Sequence, residues 1–183
     1  MKKVVRWGVT FGIGLGTILT LIVIVLQAVG ENPVGQYEFL FLFPLYVAVM
    51  ASGLFYFRNY KNQGELYTGQ AFLFNLCVNL VAALIYATSV WMIFEQHPET
   101  LDLWKSQMRA VVERMDDGRT MDVDVEQGMQ TVNATKAIHI AQDKFLKTSI
   151  FGLVFGLIVG LAFRRRTVTR REQKGKADGN SGK

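Results

Sequence analysis

Asp122, Asp124 and Glu126 occupy every second position of a short stretch, alternating with Met121, Val123 and Val125. Carboxylates at that spacing are the first place to look for a hard cation, which is held by oxygen ligands. The stretch lacks the turn glycine and the closing bidentate glutamate of a calcium loop. It therefore reads as a short extended piece or a solvated acidic loop, and no metal is expected. His97 and His139, the only histidines, lie 42 residues apart without metal-ligand spacing. Cys77 is the single cysteine; no base stands beside it in the sequence, so it reads as a small packing residue and not as a nucleophile. With no nucleophile and base, no ligand cluster and no phosphate-cradling loop, neither enzymatic chemistry nor a cofactor is expected.

The remaining polar candidates are amides. Asn75 and Asn79 are four residues apart and share one helical face, with Phe72 and Tyr86 near the same stripe. In hydrocarbon an amide seeks a partner on a neighbouring helix, a bond worth about 0.6–2 kcal/mol. The competing use is a polar lining for a substrate path, with Thr17 and Thr20 as companions. Against it, no ionisable Asp, Glu, Lys, Arg or His accompanies them in the uncharged runs.

These residues sit in a chain of 183 residues that is half hydrophobic, with 17 glycines against 3 prolines. Crossing a bilayer takes roughly 20 apolar residues as helix. The 29 residues from Leu66 to Phe94 carry no charge, and similar runs fall at about 7–29, 39–57 and 146–163. The expected fold is an all-α membrane protein: a domain over 1–163 with four transmembrane helices, and an extracytoplasmic insertion over 95–145. A basic, disordered cytoplasmic tail is expected over 164–183. The first run is too long for a signal-peptide core and reads as a retained span. Pro44 should bend the second. Within the insertion, Pro98, Glu99 and Asp102 open a helix, and Gly118 closes it. Leu101, Trp104, Met108, Val111, Val112 and Met115 form its apolar face, which suits either the outer leaflet or the ends of the spans. From about Ala134 a helical pattern runs without a breaker into the last span.

Charge sorts the two sides. The segments assigned to the cytoplasm hold 13 basic and 3 acidic residues, the outer segments 7 and 12. Both termini are thus expected in the cytoplasm, in a multi-pass protein of a bacterial inner membrane. The basic tail should attract anionic lipid; no basic groove suited to nucleic acid is present. Gly8, Gly12 and Gly16 recur every fourth residue in the first span, as do Gly152, Gly156 and Gly160 in the last. Their depths match, which predicts direct packing of the first and fourth helices along a glycine zipper; homodimerisation through one face is the competing use.

The run Phe57-Arg58-Asn59-Tyr60-Lys61, followed by Gly64, Tyr67, Gln70-Ala71-Phe72, a long apolar helix past Tyr86 and then Pro98, resembles a family of small bacterial membrane proteins. That family, abundant in Bacteroidetes, is known as domain of unknown function 4199. The resemblance takes in nearly the whole chain and implies four spans with an acidic amphipathic segment between the third and fourth; it implies no activity. Gly69 stands where the family pattern has an aromatic. The function expected is that of an accessory or structural subunit contacting the bilayer and either a second copy or another membrane protein. A small transporter or channel is the alternative.

Overall fold

The structure is a computed structural model that describes residues 1–62, 66–117 and 125–163, and of 36–43, 115–117 and 163 the backbone alone. Every regular element among the described residues is helical. They are α1 (Lys2–Ala28), α2 (Gln36–Tyr56), a π-helical turn (Phe57–Lys61), α3 (Thr68–Gln96), α4 (Pro98–Asp117), α5 (Val125–Ala134) and α6 (Ala137–Phe163). Three of them are long and apolar enough to cross a membrane: Lys2–Ala28, Thr68–Gln96 and Ala137–Ala162. Four spans were expected. The second, α2, forms at the expected place and runs through Pro44 as one helix, but it is not among the three.

Helix α3 is the common partner of the bundle. Its buried residues run from Ala71 to Phe94. Gly8, Gly12 and Gly16 of α1 meet Cys77 and Phe74, then Val78 and Val81, then Ile85, so the two helices run parallel. Gly152, Gly156 and Gly160 of α6 meet Asn79, Asn75 and Ala71 in that order, so α6 runs antiparallel. The expected pairing of the first and fourth helices is therefore wrong: α1 and α6 form no packed pair, and both glycine faces close on α3. Matched depth does not specify a partner. The α3 stripes they cover lie about 100° apart around its axis, so neither glycine face can turn to the other helix while it is closed on α3. Helix α2 packs on α6 and α1, and its Gly53 sits between Phe11 and Phe74.

The parallel and antiparallel directions bring the start of α1, the turn after α2 and the end of α6 to one end of the bundle. At the other end, α4 lies against the core through Leu101 and Trp104. Two expected boundaries change. Val125 and Glu126 begin α5 instead of ending an extended piece, while 118–124, which include Gly118, lie outside the described residues. The pattern expected to be unbroken from Ala134 breaks at 135–136. There the ring Nδ1 of His139 accepts the Lys136 N–H at 3.3 Å, capping the start of α6 from within its first turn.

Between α3 and α4, His97 Nδ1 lies 3.0 Å from Glu99 Oε1. The Glu99 carboxyl is held below the usual carboxylate range by its own backbone N–H, then by the His97 side chain. A depressed folded pKa contributes stability above the unfolded value of about 4.3 and loses it as pH falls through the lower folded one. Acid titration of thermal stability should thus show a small loss below about pH 4.3 that Glu99→Gln abolishes; the same loss in that variant would contradict the assignment. A Cβ on Gly12 would come within 2.8 Å of the Val78 carbonyl oxygen, a backbone atom that cannot swing away. Gly12→Leu should destabilise the bundle by about 1–3 kcal/mol or more, read as the unfolding midpoint in detergent, whereas Gly14→Leu, which meets nothing within 4 Å, should be neutral.

Candidate functional site

Two fully buried amides lie on the seam between α3 and α6. Asn75 Nδ2 donates to the Gly156 carbonyl at 2.6 Å, and Asn79 Nδ2 to the Ser149 carbonyl at 2.7 Å. Both side chains are fully enclosed. These carbonyls are reachable because glycine removes the side chain that would hold the helices apart. A Cβ on Gly156 would stand 2.9 Å from Asn75 Cβ, and a Cβ on Gly152 would overlap the Asn79 amide outright. Ala71 against Gly160 continues the same match at the next turn. Each amide thereby adds a bond of about 0.6–2 kcal/mol to an interface otherwise held by dispersion.

The acceptor side of each amide is differently placed. Asn75 Oδ1 and Asn79 Oδ1 find no N–H or O–H donor among the described residues, nor do the hydroxyls of Tyr46 and Ser149 find a partner. Asn79 Oδ1 lies against Gly152, whose Cα hydrogens face it. Cα–H···O contacts of that kind recur at helix interfaces and are worth about 0.5–1 kcal/mol.

A second polar link joins α1 to α3. Thr20 Oγ1 and Ser89 Oγ are 2.7 Å apart, and each hydroxyl also reaches the carbonyl four residues back on its own helix, at 2.9 Å. One of the two therefore donates across the interface and the other along its helix. Thr17, the other threonine considered for a substrate path, bonds only back to Ile13 O.

At the α4 end a polar layer ties four segments together. Asn32, buried in the α1–α2 connection, donates from Nδ2 to Gln107 Oε1 at 2.6 Å while its Oδ1 accepts the Val34 N–H. Lys144 of α6 donates to the Val34 carbonyl at 3.2 Å. Arg109 reaches Asn133 Oδ1 through Nε at 3.0 Å and a terminal nitrogen at 2.6 Å, and Lys105 donates to the Asn133 carbonyl at 3.2 Å. Two cations thus sit at the C-terminal end of α5, where the helix dipole favours them. Of the α4 residues singled out in the sequence, Leu101 and Trp104 touch the core, Met108 is half-buried, Val111 is exposed, and the Met115 side chain lies outside the described residues. Asn32, Gln107 and Ser89 were not singled out. An Asn-Pro pair at Asn32–Pro33 was the one available signal, since it marks a turn whose amide can fold back on the chain.

The α3–α6 seam pairs neutral amide donors with backbone acceptors. No group of three metal-ligating side chains occurs among the described residues. Cys77 stands against Gly8 in the α1–α3 contact, which is a packing position. An apolar groove of about 250 Å³ opens between α3 and α6, lined in part by Leu84, Trp91, Ile138 and Phe145.

A family model described as "Protein of unknown function (DUF4199)" matches residues 6–165. No curated protein and no solved structure matches the chain.

The seam makes a sharp prediction. Gly152→Ala should destabilise the bundle by about 1–3 kcal/mol, because the methyl collides with the Asn79 amide. Adding Asn79→Ala removes the obstacle, so the double variant should be more stable than the sum of the single effects by about 1 kcal/mol or more. Strict additivity in that cycle would mean that the two residues do not meet.

Proposed function

We propose that this chain, which belongs to the DUF4199 family, is an accessory or structural subunit of a membrane assembly, multi-pass in a bacterial inner membrane with both termini cytoplasmic, and without catalytic activity. Under this reading α2 crosses as well, making four spans, and α4 with α5 stands on the outer side. The shared end of the bundle reached by the start of α1, the turn after α2 and the end of α6 supports that arrangement, since Lys2, Lys3, Arg6, Arg58 and Lys61 lie there.

The observation that carries the reading is the closed α3–α6 seam. The amides available to a transport path are used to bind a facing backbone, in a space that does not admit a methyl group at Gly152 or Gly156. A permeant needs a cavity lined by polar groups that point into it. The outward face supports the same view. Although α3 is the common partner inside the bundle, it leaves Leu80, Leu84 and Trp91 exposed on one stripe, available to lipid or to another helix.

A photoreactive side chain at Leu84, which is 60% exposed, tests this directly. In cells it should give one discrete adduct with another membrane protein, and the same protein should co-purify in fixed ratio after mild detergent extraction. Lipid adducts alone, with a bare particle on extraction, would overturn the reading.

A further inference from the structure

A ladder of rings climbs from the core to the surface at the end of the bundle where α1 begins. Buried Phe74 packs on Phe11 and Phe57 with ring centroids 5.8 and 5.7 Å apart; Phe11 meets Tyr56 at 6.0 Å; Tyr56 meets Trp7 at 5.4 Å and exposed Tyr60 at 5.2 Å. The π-helical turn Phe57–Lys61 finishes on Lys61, whose ammonium lies 4.7 Å from the centre of the Trp7 ring and 5.7 Å from that of Tyr56. Each contact of this kind is attractive, and together they fix one charge at a defined spot beside two half-buried rings.

The surroundings of that spot are one-sided in charge. Lys3 lies one turn before Trp7 on the same face of α1, and Lys2 and Arg6 occupy the first two turns beside it. None of Lys2, Lys3, Arg6 or Lys61 makes an ion pair among the described residues. Carboxylates are absent from residues 1–30, 57–62 and 66–94; Glu65 lies outside the described residues. Like charges held together without a counter-charge among the described residues favour the arrival of an anion. Trp and Tyr are the side chains that settle at the level of lipid headgroups, so the anion available at this depth is the lipid phosphate.

We propose that Lys61, fixed against Trp7 and Tyr56, forms with Lys3 and Arg6 a binding site for the phosphate of an anionic phospholipid. The site rests on the multi-pass membrane reading above and is separate from the general attraction of the basic tail. Its preorganisation is the distinguishing feature: the ring ladder holds the Lys61 ammonium in place before any ligand arrives, so less ordering is needed on binding.

The test uses the full chain, extracted in mild detergent and offered equal amounts of phosphatidylglycerol and phosphatidylcholine, with bound lipid counted by native mass spectrometry. The wild type should retain phosphatidylglycerol preferentially. Lys61→Gln should lower that retention about fivefold, the effect of one basic residue near an anionic surface, and Lys61→Arg should keep it. Neutralising Arg170 and Arg171 in the tail should leave the preference unchanged. Equal retention by wild type and Lys61→Gln in well-folded samples would overturn the site, as would loss on tail neutralisation alone. Displacement of the lipid by millimolar inorganic phosphate would make free phosphate the ligand and overturn it too. Extraction of the chain from membranes by alkaline carbonate would instead remove the membrane reading, and the site with it.

Discussion

The side-chain amides of Asn75 and Asn79 need acceptors within a hydrogen bond's length of an apolar helix, and only a neighbour stripped of its own side chains can bring a backbone carbonyl that close. Helix α6 does so at Gly152, Gly156 and Gly160. The dependence runs both ways. Without the amides the glycine face would be held by weak dispersion alone, and without the glycines two polar groups would be buried unpaired, at a cost of several kcal/mol in hydrocarbon. Helix α1 answers a different face of α3 with the same device but apolar partners, joined by the single Thr20–Ser89 link.

The cap over the far end depends on this seam. Lys144 can hold the α1–α2 connection because α6 is placed beside α3, and the Asn32–Gln107 bond then fixes α4 to the same connection. Arg109 and Lys105 extend the link to α5. An apolar bundle is thus joined to a polar lid through neutral hydrogen bonds and charge-to-carbonyl contacts, with exposed pairs such as Lys147–Asp143 adding little.

Much of this was readable from residue types. Uninterrupted apolar length located α1, α3 and α6, and Pro98 followed by an amphipathic repeat located α4. The fourfold glycine spacing marked two faces built for close approach. What spacing could not do was name their partner, because depth along a helix is a one-dimensional property while choice of neighbour depends on rotation about the axis. The amides at Asn75 and Asn79 held the missing information, since a polar side chain in hydrocarbon points to whichever backbone it must reach. The break before Ala137 was hidden for another reason: it is made by a histidine ring acting as a cap, a role outside the usual Ser, Thr, Asp and Asn signals. The ring ladder from Phe74 to Tyr60 joins α1, α2 and α3, and such cross-chain stacking leaves no periodic trace.

The bond from Asn79 to Ser149 spans 70 residues of chain. During synthesis α3 therefore leaves the ribosome well before the helix that satisfies its amides. At about 5–20 residues per second, the interval is roughly 4–14 s. Through that time α3 can close on α1, which is already made and already offers Thr20 to Ser89, but its Asn75 and Asn79 face must wait while α4 and α5 pass by. The last helix to emerge is thus the one that closes the seam, and the bundle is incomplete until it has.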